Sequence, residues 1–512
     1  MPTDIQAPEI LYGPLSPMLI VFGAATLGVL VEAFVRGPHR RVIQVALALL
    51  GLGAALVAVI LLADTHELVA ESAVAVDGPS LFIQGILLVL GMVSILLLAE
   101  RGLDASGGAV VARAVTTPGS REDVQQSESE DIQTEVFPLA MFSLGGMLLF
   151  PASNNLLLMF VALEVLSFPL YLMAGLARRR RLLSQEAAVK YFLLGSFASA
   201  FFIYGVAMLY GYAGNVDLGH IFDATGTAGT NDALLYLGIA MLGVGLLFKI
   251  GAVPFHAWTP DVYQGSPTPV TALMAACTKI AAFGATLRVF YVGFGRTDWD
   301  WRPMMWAVAI ATMVVGAVLA VTQTDVKRML AYSAIAHTGF ILVGVIALNE
   351  HGLSGTLFYL ATYGFTTIAA FAVVTLVRDG SGEATHLAQW TGLGRRSPLL
   401  AGVFALFLFA LAGIPLTSGF MAKFAVFRAG VEGGATPLVV VGVVASAVTA
   451  FFYARVVVLM FFNEPAADGP TVAVPSALTA SAIALGLAVT VVLGVVPQPV
   501  LDLADRAALF IR

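Results

Sequence analysis

Five lysines stand among the 26 basic residues of this chain: Lys190, Lys249, Lys279, Lys327 and Lys423. Four of them, all but Lys327, fall inside long apolar stretches. Elsewhere the basic residue is nearly always arginine. Arg keeps its proton in essentially any protein site, whereas a buried Lys gains and loses one near neutral pH. A charge deep in a membrane costs at least about 2.5–3.5 kcal/mol on insertion scales. Packing does not require four such residues, so proton handling is the natural reason for lysine. The bland alternative is snorkelling at a helix end or a static ion pair. It is strongest for Lys190, weaker for Lys279, and weakest for Lys249 and Lys423, which flank helix breaks.

Other titratable groups join the lysines. Glu164 lies mid-stretch in Leu163-Glu164-Val-Leu-Ser-Phe-Pro169, and Lys190 opens the next stretch. A Glu164–Lys190 pair across adjacent helices would let each group hold the other's charge. His337, in Ala331-Tyr332-Ser333-Ala-Ile-Ala-His337, has the side-chain type that titrates nearest physiological pH. It is expected to be a relay between lysines, with Tyr332 and Ser333 as supporting groups. His256 follows Pro254, and structural and relay readings are balanced there. Arg288 and Arg455 are read as structural cations paired with acids or headgroups. Glu32 is read as an interface residue or a contact to a neighbouring subunit.

Composition says what must carry these groups. Of 512 residues, 59% are hydrophobic and 11% charged, where a soluble domain averages about 25% charged. Mean hydropathy is +0.91. Lipid as solvent accounts for this, since a helix in lipid can be apolar all round. A crossing needs roughly 20 apolar residues. Fourteen windows qualify: 14–35, 42–63, 79–99, 135–151, 154–177, 186–212, 233–256, 268–293, 303–322, 329–348, 354–378, 398–428, 436–462 and 475–497. The expected fold is an all-α polytopic membrane protein. Pro254 breaks the seventh window and Pro415 the twelfth, and each break has a lysine nearby.

The two broken helices are five apart. Spans 4–8 (residues 135–293) and 9–13 (303–462) then read as two five-helix units, the second inverted in the membrane, with sites near the breaks. Residues 1–134 supply three further helices and a polar loop, 100–134, and residues 475–512 the last helix and a short tail. Placing the loop after the first helix in the cytoplasm puts fifteen loop Lys/Arg on that side and five on the other, with both termini outside. Met1–Tyr12 lacks a basic segment, which argues against a cleavable leader. The single cysteine, Cys277, excludes an internal disulfide and a cysteine-based metal or iron–sulfur site. It reads as a small buried residue. No Rossmann fingerprint and no phosphate-binding loop is present, so no nucleotide site, cofactor or nucleic-acid partner is expected.

The wording of several stretches resembles a known family. Glu186-Ala-Ala-Val-Lys190-Tyr-Phe-Leu-Leu-Gly-Ser-Phe-Ala-Ser is similar to the sixth helix of subunit N in proton-pumping NADH:quinone oxidoreductase, respiratory complex I. Phe248-Lys249-Ile-Gly-Ala-Val-Pro-Phe-His-Ala-Trp-Thr-Pro-Asp-Val-Tyr-Gln-Gly-Ser-Pro-Thr-Pro-Val-Thr271 is the most specific match. Leu330-Ala-Tyr-Ser-Ala-Ile-Ala-His337 and Ala412-Gly-Ile-Pro-Leu-Thr-Ser-Gly-Phe-Met-Ala-Lys423-Phe fit as well. The resemblance covers about residues 135–460, and it departs at Leu416, where a second proline is expected.

The resemblance implies an antiporter-like, proton-translocating subunit of the complex's membrane arm, in a bacterial plasma membrane. It implies a charged pair at Glu164 and Lys190, a central Lys249, then Lys279, a connecting His337, and Lys423 at the exit. NADH, FMN, iron–sulfur clusters and quinone would belong to partner subunits. The expected neighbours are other antiporter-like and small membrane subunits, with lipids around them. Two rivals share the fold, an Mrp-type sodium/proton antiporter and a hydrogenase membrane arm. A third is a scaffold whose charges only bind neighbours.

Overall fold

The structure is a computed structural model that describes residues 11–37, 39–103, 108–110, 120–121, 134–226, 232–380, 382–465 and 469–512. Most of the expected 100–134 loop lies outside the described residues. Helix occupies each of the fourteen apolar windows. The elements are α1 (Tyr12–Phe34), α2 (His39–Leu61), α3 (Gly78–Leu98), α4 (Val136–Ala152), α5 (Leu156–Ala174), α6 (Arg181–Ala213), α7 (Asp232–Ile250) and α8 (Trp258–Gly265). After these come α9 (Thr268–Gly293), α10 (Asp298–Val321), α11 (Val326–Ala347) and α12 (Glu350–Leu376). The chain ends with α13 (Pro398–Ala412), α14 (Ser418–Glu432), α15 (Thr436–Phe462), α16 (Ala477–Val495) and the short α17 (Gln498–Ala507). Among the described residues, twelve helices are long and apolar enough to cross a membrane, and α4 and α13 are shorter apolar helices. Strand among the described residues is confined to a two-stranded hairpin, Glu67–Val69 with Val74–Val76, and a small three-stranded sheet around Val377–Asp379.

Burial sorts the helices. The most apolar stretches of α9, α11 and α12 are 100%, 94% and 94% buried, while those of α1, α2, α6 and α16 are one-third buried. Lys279 on α9 and His337 on α11 therefore sit in the wholly enclosed centre. α9 is wound irregularly, with π turns at Met274–Thr278 and Val289–Gly293. The first ends immediately before Lys279. Single π turns inside α-helices concentrate at functional sites.

Both interruptions open on a glycine in the left-handed region. Gly251 (φ +73°) ends α7, with Gly251 and Ala252 N–H donating to the carbonyls of Phe248 and Leu247. Gly413 (φ +83°) ends α13 in the same way, with the N–H groups of Gly413 and Ile414 donating to Phe409. Left-handed glycine is the usual helix stop, because any side chain is strained there. Proline two or three residues on then blocks resumption. Backbone groups freed at membrane depth must be satisfied inside the protein. Val253 N–H accordingly donates to Thr312 Oγ1 at 3.0 Å, and Trp258 Nε1 to the Phe248 carbonyl at 2.9 Å.

The expected acid for Arg288 is Asp77, which also caps α3. The two are 2.7 Å apart and fully buried. Arg288 also donates to Ser80 Oγ and the Pro151 carbonyl, each at 2.6 Å, and Ile511 N–H donates to Asp77 at 3.2 Å. Arg455 donates to the Val321 carbonyl. Glu32 accepts from Arg40 and Gln44 at the α1–α2 corner. Lys327 departs from expectation. It falls outside the apolar windows, yet it lies in the first turn of α11, is 3% exposed, and donates to the Ser266 carbonyl at 2.7 Å. The apolar window missed it because α11 begins three residues earlier, capped by Asp325.

Candidate functional site

Lys249 is the last-turn residue of α7 and is buried. Its ammonium donates to Ser167 Oγ on α5 at 2.7 Å and to Tyr191 OH on α6 at 3.2 Å. The rings of Tyr191 and Tyr171 flank it at 5.3 and 5.9 Å. Aromatic faces attract a desolvated cation. Glu164 is the ninth of nineteen residues in α5, one helical turn before Ser167.

Lys279 shares one hydroxyl with the backbone at the end of α7. Thr338 Oγ1 on α11 accepts from Lys279 Nζ at 2.7 Å and reaches the Ile250 carbonyl, next to Lys249, at 2.8 Å. Lys279 also donates to the Ala334 carbonyl and lies 5.5 Å from the Tyr363 ring centre. His337 directly precedes Thr338 on α11. Its Nδ1 meets Tyr359 OH at 2.7 Å, while Nε2 is buried with no partner among the described residues.

Lys423 ends the row. It is the sixth residue of α14, and its ammonium turns back across the interruption to the carbonyls of Leu411 (3.1 Å) and Ala412 (2.8 Å) and to Ser446 Oγ (2.8 Å). Those carbonyls are the unsatisfied end of α13, where the helix dipole favours a cation. Gly413 leaves room for the lysine stem, since a Cβ there would lie 2.9 Å from Lys423 Cδ.

One expected pairing is wrong. Glu164 accepts a hydrogen bond from Ser199, not from Lys190. Ser199 lies nine residues beyond Lys190 on α6, roughly 13.5 Å along the axis, which no lysine side chain spans. Lys190 instead binds Glu186 at 2.6 Å and Asp261 at 2.7 Å. The supporting groups also divide differently. Tyr332 stacks 6.0 Å from Arg328, and Ser333 bonds the Tyr453 hydroxyl. His256 lies in the first interruption with its Nδ1 buried and unpartnered among the described residues.

The transmembrane family model of NADH:quinone oxidoreductase and Mrp antiporters matches residues 153–449, more than half of the chain. The chain belongs to this NADH:quinone oxidoreductase/Mrp antiporter family. It is 66% identical to the NADH-quinone oxidoreductase subunit N of Parafrankia sp. (strain EAN1pec), over 98% of this chain and 96% of that one. The corresponding protein of Rhodococcus opacus (strain B4) is 62% identical, over 99% and 98%. Among solved structures, a chain of respiratory complex I from Thermus thermophilus superposes with a TM-score of 0.77 at 34% identity, covering 96% of this chain and 99% of that one. A chain of the Mrp complex from Dietzia sp. shares the fold at a TM-score of 0.81 and 22% identity, over 98% and 97%.

Within this family fold, the hydroxyls between the amines are what sequence reading missed. Ser167, Tyr191, Thr338 and Ser446 are ordinary residues for apolar helices, so nothing in their type sets them apart. Asp261 was quoted inside the most specific motif yet not read as a charge partner. The available signal was its carboxylate, seven residues past a proline break.

Proposed function

We infer that this chain is an antiporter-like, proton-translocating subunit in the membrane arm of a bacterial NADH:quinone oxidoreductase. The observation that carries this reading is the set of buried groups Lys249, Thr338, Lys279, His337 and Lys423, with Lys279 and His337 on the most enclosed helices and Lys249 and Lys423 beside the two interruptions. Amines hold protons; hydroxyls accept one and donate another; the imidazole does both. The proposed path enters from the cytoplasm at Lys249 or Lys279, crosses by Thr338 and His337, and leaves through Lys423. Glu164 acts on Lys249 through space, since an anion nearby favours the charged amine. The chain's own residues bind no redox group in this reading. NADH oxidation and quinone reduction belong to partner subunits, with other antiporter-like and small membrane subunits as neighbours. The organisation that suits this path is two inverted five-helix units with both termini outside, supported by the matched interruptions and the loop charge count.

Lys249→Ala in the native membrane tests the reading. The expected result is an assembled complex in which NADH-driven proton pumping and quinone reduction both fall by at least about tenfold, or 1.4 kcal/mol of activation free energy. Undiminished pumping by an assembled variant would make the row structural.

A further inference from the structure

We propose that Asp261 is the positioning residue that links Lys190 to Lys249, an inference that rests on the proton-pumping reading above.

The carboxylate of Asp261 is shared. Oδ2 accepts from Lys190 on α6 at 2.7 Å and Oδ1 from Arg328 on α11 at 2.6 Å. The two halves differ in kind. Arg328 is permanently charged and also donates to Gln264 at 3.1 Å, one turn further along α8. That half anchors α8 to α11. Lys190 has an alternative partner, Glu186 on its own helix at 2.6 Å, so its bond to Asp261 is the releasable half. The Lys190 side chain is 40% exposed on a helix that also exposes Val189, Leu193 and Phe197, so a charge on a neighbouring subunit can reach it.

What Asp261 holds is the approach to Lys249. α8 is eight residues long and carries Trp258 one turn before Asp261. The indole stacks on Tyr191, with centroids 4.8 Å apart and planes at 8°, and its Nε1 holds the carbonyl of Phe248 beside Lys249. Tyr191 directly follows Lys190, and its hydroxyl is one of the two hydrogen-bond acceptors of Lys249. Lys190, Asp261, Trp258 and Tyr191 thus form a closed loop of contacts between α6 and α8, with the Lys249 ammonium bonded to it. Release of Lys190 removes the charged tie between α6 and α8 and leaves the Trp258–Tyr191 stack to hold the two at this point. The stack and the Tyr191 hydroxyl can then shift relative to Lys249. A charge offered to Lys190 from outside is in this way felt at Lys249 as a change in its hydrogen-bonding partners. Glu164, bonded to Ser199, does not take part in this linkage.

The test uses the whole complex in native membranes, with assembly scored on native gels. Asp261→Asn keeps the shape and removes the charge. It should lower NADH-driven pumping by about fivefold or more while the complex assembles, and Asp261→Glu should restore most of the loss. Wild-type pumping by assembled Asp261→Asn overturns the proposal, and so does a Glu variant no better than Asn. If Asp261→Asn does not assemble, Lys190→Gln decides, because it leaves Asp261 paired to Arg328. Slowed pumping supports the link and normal pumping overturns it. Lys249→Ala run alongside separates the two levels. If it pumps normally, the proton-path reading fails. If it is inactive while Asp261→Asn is normal, only this inference fails.

Discussion

The two helix interruptions begin alike and hold their lysines differently. At the first, Lys249 is bound by side-chain hydroxyls, Ser167 and Tyr191, and walled by tyrosine rings. At the second, Lys423 donates all three of its hydrogens, two to backbone carbonyls at the end of α13 and one to Ser446. A hydroxyl both accepts and donates, so it can pass a proton on; a carbonyl only accepts. The first interruption thus gives its lysine only hydroxyl partners, while the second pairs its lysine mostly with carbonyls and leaves Ser446 as the hydroxyl beside the proposed exit. A left-handed glycine and a proline make the break, but the surrounding helices decide what the break does.

Removing the hydroxyls should separate the two sites most clearly. The double change Ser167→Ala with Tyr191→Phe leaves Lys249 without its two partners and should cut NADH-driven pumping by about tenfold, while Ser446→Ala should cost under about twofold because two carbonyls remain. Equal losses at the two sites would erase the distinction drawn here.

A smaller effect concerns the backbone of the second interruption. Leu416 holds φ +68°, a conformation that no residue but glycine adopts in the first. Left-handed backbone costs a non-glycine residue about 1–2 kcal/mol, so Leu416→Gly should stabilise the detergent-solubilised protein by about 1 kcal/mol. Leu416→Pro should destabilise it, since proline is fixed near φ −65°. The proline expected from family wording could not occupy this backbone, and leucine there is the consistent residue. A thermal melt that rises for proline and falls for glycine would contradict the conformation.

The smallest expected effect lies away from both interruptions. Burial alone would raise the Glu100 carboxyl, but hydrogen bonds from Ser476, Thr479 and the backbone N–H groups of Gly102 and Arg101 outweigh it and hold it below the usual carboxylate range. A depressed folded-state value gives stability that is complete above the unfolded carboxylate range and is lost as pH falls through the folded one. Acid should thus loosen the contact between the end of α3 and the start of α16, and only below about pH 4. Limited proteolysis against pH checks this, and Glu100→Gln should flatten the response without touching either lysine site.

Much of this was legible in the sequence. Continuous apolar runs located the helices, because a helix satisfies its own backbone in lipid and needs roughly 20 apolar residues to cross it. Gly-x-x-Pro and Gly-x-Pro placed the interruptions at 251–254 and 413–415. The buried Lys249, Lys279, Lys423 and His337 stood out by residue type alone. What failed was rotation and register between helices. Glu164 and Lys190 sit on adjacent helices, yet the height of each along its axis and the face it presents are fixed by packing, which local pattern does not record. Lys327 was missed for a related reason: a lysine beside Arg328 at a helix start looks like loop until the Ser266 carbonyl arrives from the turn between α8 and α9.

The Asp77–Arg288 pair has a consequence in time. Its members are 211 residues apart in the chain. At ordinary rates of synthesis, roughly ten to forty seconds separate the emergence of the first from that of the second. A buried charge without its partner is strongly unfavourable. Through that interval Asp77 must stay in contact with water or with the insertion machinery. Ile511, which closes over the carboxylate, emerges later still. The Asp77 end of α3 is thus among the first parts of the protein to be made and among the last to be finished.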